Sequence, residues 1–333
     1  MKLKLATVGI FFGLSAGAPA LAAPPQVTLA LPSTTLTFSW AYVAQGIGAW
    51  KKQGLDVNVQ FIRGLGAMNA MLGGNVEFAV SSGPTIISAI ARGQKPVVIG
   101  TPIKKLLNEI VVSKAIAAKT GPKASLVERA MALKGKTIAI DSVNSIEQAY
   151  AKYVLAEAHL DPNKEVTFTP VAPPAMAPAL QAGRIDAFAS LPPWTTQAEL
   201  KGVGVRYVSS PAGDLPGLQP IMQTGIVART GYCEQHKDIC KKFAAGALAA
   251  LRYIHEQPDK AFALVKDKFK TMDPAVLKSV FASVRAATGE DLKSSDEPVQ
   301  KAQNLAVVAG SLHEAEKLAP PAFHTVYTND YQP

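Results

Sequence analysis

The chain is poor in the residues that most often carry chemistry. Its 333 residues include two cysteines and five histidines. The histidines, at 159, 236, 255, 313 and 324, stand outside every loop that the strand–helix pattern brings to a ligand cleft. There is no H-E-x-x-H helix, no P-loop and no G-x-G-x-x-G after a strand. GLGAMNAMLGG, from Gly64 to Gly74, lacks the final glycine and the acidic partner of a dinucleotide site. Ser81 and Ser82 have no G-x-S-x-G elbow and no histidine placed to serve them. An enzyme therefore has little to work with here, and no cofactor is expected. Beyond the N-terminus no stretch approaches ~20 uninterrupted apolar residues, so no transmembrane helix is expected. Lys and Arg never run beyond two, and aromatics do not interleave with them. That excludes the usual nucleic-acid surface.

What is present begins with MKLK and LATVGIFFGLSAGAPALAA. A positive start, an apolar run broken by Gly, Ser and Pro, and an A-x-A site at Ala20-Leu21-Ala22 read as a secretory signal peptide cut after Ala22. With no lipobox cysteine, the mature protein is expected to be soluble and periplasmic. The formal charge is +9, and Lys2 and Lys4 leave with the peptide. A basic field of this size raises the encounter rate with small anions. Residues 23–333 exceed what one small core covers, so two domains are expected.

Cys233 and Cys240, in YCEQHKDICKK, form a close pair in an exported chain, and a disulfide is expected. Residues seven apart on one helix rise by ~10 Å, too far for the bond. Cys233 is therefore expected in a turn before a helix and Cys240 in its first turns. With His236 between them the pair matches no common zinc pattern, and no metal is expected.

Strands and helices alternate. VTLAL (27–31), DVNVQFI (56–62), 76–80 and 96–100 read as strands, and a helix is expected over 37–52. Pro84 suits the first turn of the next helix, with Ser82 or Gly83 at its N-cap. The scheme repeats with strands at 136–140, 166–171 and 184–189 and helices at 146–159, 175–181 and from Trp194. GGNVEFAVSSGPTIISAIARG and AGRIDAFASLPPWTTQAELKG are weakly similar. Asp186 lies in its strand and reads as structural. NEIVVSK (108–114) and QTGIVART (223–230) read as linker strands, and the rest of the chain is helical, with starts at Pro258, Asp273-Pro274 and Ser295. The expected fold is α/β: two mostly parallel sheets flanked by helices and joined by two crossings. The first domain spans 23–110 and 226–333, and the second 111–225.

In such sheets ligands bind at the carboxyl ends of strands, beside helix N-termini. The hydroxyl-rich loops there make Ser33, Thr34, Thr35, Ser81, Ser82, Thr85, Ser142, Asn144 and Ser145 the candidate ligand residues. Each is equally a helix-cap type. Trp40 and Trp194 are candidate aromatic contacts, whereas Trp50 and Tyr42 are assigned to the first domain's core. Whether Arg63 or Lys104 reaches the cleft stays open.

LKGKTIAIDSVNSIEQAYAKYVLAEAHLDPNKEVTFTPV with ALQAGRIDAFASLPPW resembles the second domain of periplasmic substrate-binding proteins of the nitrate/sulfonate/taurine ABC-transporter family. GAWKKQGLDVNVQFIRGLGAMNAMLGGNVEFAVSSGPTIISAIARG resembles the first. The resemblance runs from about Val27 to Phe269. It implies a type II two-domain binding fold that closes on a small-molecule anion, acts as a monomer and delivers its ligand to an inner-membrane ABC permease. Many relatives resemble W-[DE]-P where this chain has Leu191-Pro192-Pro193. The missing carboxylate argues against an amino-bearing ligand such as taurine. An alkanesulfonate is the first expectation, with an aromatic sulfonate or carboxylate, or nitrate, as alternatives. An exported lyase-like enzyme and a ligand-presenting sensory protein are the other readings.

Overall fold

The computed structural model describes residues 23–333 except 122 and 271; the signal-peptide expectation falls outside the described residues. The first unit holds β1 (Gln26–Leu31), β2 (Asp56–Phe61), β3 (Phe78–Ser82) and β4 (Pro96–Ile103). The second holds β5 (Glu109–Val112), β6 (Thr137–Ile140), β7 (Thr167–Pro170), β8 (Ala187–Ser190) and β9 (Val205–Ser209). The chain then returns through β10 (Thr224–Arg229) to the first unit. Strand order is β2-β1-β3-β10-β4 in one sheet and β7-β6-β8-β5-β9 in the other.

The two sheets share one plan. β1 runs parallel to β2 and β3, and β10 runs antiparallel to β3 and β4. β6 runs parallel to β7 and β8, and β5 runs antiparallel to β8 and β9. Each sheet is thus parallel but for one strand, which arrives from the other unit. The two segments read as linkers, 108–114 and 223–230, are these inserted strands, hydrogen-bonded on both sides. The sequence similarity between the units has a structural counterpart. Glu77 and Asp186, the acids at matching places, each accept the backbone N–H of a neighbouring strand, Thr28 at 2.7 Å and Thr137 at 2.9 Å.

Two glutamines tie the crossings together. Gln219 accepts the Leu106 N–H at 3.1 Å, and Gln223 accepts that of Leu107 at 3.2 Å. Buried backbone groups that leave a sheet need partners, and these side chains supply them.

Some local expectations shift. The single helix over 37–52 is instead a 3-10 turn, Leu36–Phe38, followed by helices Ser39–Gly46 and Ala49–Lys52. The break falls at Gly48, whose φ of +62° is left-handed and suits glycine. The strand expected at 76–80 ends at Ser82, so both serines lie in it. β9 was not anticipated: VRYVS is a short run with a charge inside, and it becomes a strand by pairing with β5. Cys233 and Cys240 are bonded, with Cα atoms 5.8 Å apart. Cys233 sits in a short helix, Thr230–Gln235, rather than a turn. A break at His236 then lets Lys237–Glu256 begin in a new direction and bring Cys240 back.

Candidate functional site

The carboxyl ends of β1, β3 and β6 and the second crossing surround a cavity between the units. It offers about 60 Å³ to the centre of a water-sized sphere, more than the ~10–15 Å³ that a single water needs. Ser33, Ser81, Ser82 and Thr85 line it from the first unit, and Ser142, Asn144 and Ser145 from the second. Helices Gly83–Ala91 and Ile146–Ala156 both start at this space. Their N-terminal N–H groups favour an acceptor or anion.

The hydroxyls divide by role. Ser82 Oγ accepts the Thr85 N–H at 3.4 Å and caps its helix. Thr85 Oγ1 donates across the cleft to the Asn144 carbonyl at 3.2 Å. With that proton used, the 2.8 Å contact between the Ser82 and Thr85 hydroxyls has Ser82 as donor. Ser82 is therefore occupied as a cap and as one link of a chain between the units. Ser145 Oγ accepts the Gln148 N–H at 3.3 Å, and its hydroxyl also hydrogen-bonds the Glu147 carboxyl. Thr224, from the second crossing, lines the cavity, and its buried Oγ1 has no hydrogen-bond partner among the described residues.

Other expected residues stand apart from the cavity lining. Trp40 is buried in the first unit's core, edge-on to Trp50 at 6.4 Å between ring centres. Thr35 is buried beside the same helix start, and neither Thr35 Oγ1 nor Trp40 Nε1 has a partner among the described residues. Trp194 does not face the ligand space either; its Nε1 donates to the Thr34 carbonyl at 3.0 Å and joins the two units. Lys104 is turned away to Asp291 at 2.5 Å. Arg63 does reach the cleft mouth, where it binds Asp141 of the second unit through Nε–Oδ1 at 3.2 Å.

The cavity's charged lining is acidic. Asp141 and Glu147 both face it. Burial holds the Asp141 carboxyl above its usual range, against hydrogen bonding from Ser33 and the attraction of Arg63. Glu147 is 7% exposed. Burial first, and then the Asp141 charge, push its carboxyl up to about 7. Sequence reasoning missed Glu147. An acid in the first turn of a helix is ordinarily a solvated complement to the dipole. The signal available was its place two residues after the Ser145 cap, on a helix that starts at a ligand loop.

A family model described as the NMT1-like family matches residues 22–266. The chain belongs to the NMT1-like family. Among its relatives, the Bacillus subtilis protein YtlA, whose name describes a binding protein, is 25% identical over 289 residues, 84% of this chain and 82% of that one. A Bordetella bronchiseptica protein of solved structure superposes with a TM-score of 0.80 at 21% identity, covering 92% of this NMT1-like chain and 95% of that chain. The alkanesulfonate-binding protein SsuA of Xanthomonas axonopodis pv. citri, solved with MOPS bound, superposes with a TM-score of 0.71 at 18% identity, covering 90% of this chain and 98% of that one. The NMT1-like chain thus has the two-unit α/β fold of periplasmic binding proteins, with two mixed sheets flanked by helices.

Proposed function

We propose that this protein is the extracytoplasmic solute-binding component of an ABC importer, closing its two units on one small molecule and presenting it to a membrane permease. The observation that carries the reading is the cavity itself. Hydroxyls from both units and two helix N-termini converge on one space, and bonds between the units close over it. Hydrogen bonds of this kind to a charged acceptor are about twice as strong as neutral ones. A sulfonate or carboxylate end suits these donors, and SsuA, a protein of the same fold, is titled as binding alkanesulfonate.

The enzyme alternative required a perturbed acid in the cleft, and Glu147 is one. It lacks a nucleophile–base pair beside it, and the named relatives are binding proteins. The ligand-presenting sensor differs only in the receiving partner.

The test is a thermal-shift screen of ligand-free protein against sulfonates, carboxylates and nitrate. A true ligand at 100 times its Kd adds ~2.7 kcal/mol of stability. Ser81→Ala and Ser142→Ala are each expected to weaken its binding by about 1–3 kcal/mol, the cost of leaving a buried acceptor unmatched. Absence of stabilisation by every small solute would remove the proposal.

A further inference from the structure

The hydroxyls account for one end of a ligand, and Glu147 calls for another kind of group. Its carboxyl lines the cavity while the residue is only 7% exposed. No Lys, Arg or His lies within ion-pair distance of it among the described residues. Arg63, the cation at the cleft mouth, is committed to Asp141. On the helices packed against Ile146–Ala156, Arg129 is paired with Asp214 at 2.8 Å, Lys301 with Glu297 at 3.0 Å, and Glu128 with Ser125. The nearest charge bearing on Glu147 is Asp141, of the same sign. The Ser145 hydroxyl and the Glu147 backbone N–H hydrogen-bond the carboxyl, but neither supplies the opposite charge that burying an ionised carboxylate calls for.

We propose that the solute held in this cleft carries a nitrogen-bound hydrogen-bond donor, an ammonium, amidinium or ring-amino group, seated against the Glu147 carboxyl, with its acceptor end toward Ser81 and Ser142. The inference rests on the reading of the cleft as a solute site. It reverses the expectation drawn from Leu191-Pro192-Pro193. No carboxylate stands at Leu191-Pro192-Pro193, but the first turn of helix Ile146–Ala156 brings one to the same cavity. The upward shift of the Glu147 carboxyl fits this arrangement, because a buried acid held near neutrality is poised to ionise when a donor arrives.

Matched probe pairs test it: taurine against isethionate, β-alanine against propionate, and 4-aminopyrimidine against pyrimidine. Each is screened by thermal shift, and hits are titrated calorimetrically with wild type and Glu147→Gln. The expected result is that an amino member binds at least about tenfold tighter than its partner and that Glu147→Gln removes most of the difference. Wild-type affinity for it should rise with pH, because binding drives a proton off Glu147; that readout needs no variant to fold. If the nitrogen-free members bind as well, and more weakly as pH rises, the proposal is overturned while the binding-protein reading stands. If neither member of any pair binds, both fall.

Discussion

Arg63 and Asp141 clasp the two units across the cleft mouth. The guanidinium Nε lies 3.2 Å from Asp141 Oδ1, and Nη2 donates to the Asp141 carbonyl at 2.5 Å. The Arg63 side chain is 45% exposed, so the ion pair contributes about 1 kcal/mol or less. That is still a several-fold bias between closed and open forms. Arg63→Ala should therefore expand the ligand-free protein in solution scattering with little change in melting temperature. An unchanged radius of gyration would show that the other bridges, such as Trp194 to Thr34, hold closure without it.

Gly64 sits where the units touch. Its φ of +58° is left-handed, and a Cβ there would lie 2.7 Å from Ser142 Oγ. Gly64→Ala should prop the cleft open and weaken binding of any cleft ligand by tenfold or more, on the order of the ~1–3 kcal/mol that such strain costs. Adding Ser142→Gly should restore part of the closure, since it removes the clash but not the backbone strain. A scattering comparison of the single and double variants decides this.

Glu147 should govern the pH dependence of ligand-free stability. Its carboxyl rises from 4.5 to about 7 on folding. Between those values the folded protein holds more protons than the unfolded chain, so this group's contribution falls as pH rises and levels off above 7. Glu147→Gln removes the penalty. The variant should be more stable than wild type by about 1–3 kcal/mol at pH 8 and no more stable at pH 4, by urea denaturation. A constant difference across pH would place the charge elsewhere.

Reducing the Cys233–Cys240 bond, buried at both sulfurs' residues, should cost about 2–3 kcal/mol, the value for so short a loop. Melting with and without reductant measures it.

The strand–helix alternation made the two sheets legible, and the matched acids Glu77 and Asp186 show that the weak repeat was structural. The crossings were harder. NEIVVSK and QTGIVART carry the apolar character of sheet strands, but nothing local states that each joins the other unit's sheet antiparallel. The seven hydroxyl and amide candidates at the cavity were legible because cap chemistry and strand ends are both local. Trp40 and Trp194 were misplaced for the opposite reason: which way a large ring turns depends on packing partners such as Trp50 and Thr34. Glu147 was invisible because an acid in a helix's first turn reads as solvated, and its burial is set by tertiary packing that no local pattern records.

The most direct test of the account is a calorimetric titration of refolded, ligand-free protein with its tightest amino-bearing probe at pH about 5.5 and about 8. One molecule should bind per chain, at least roughly tenfold tighter at the higher pH, as a carboxyl near 7 in the free protein requires. Equal or tighter binding at the lower pH, or no saturable heat at either, would contradict it.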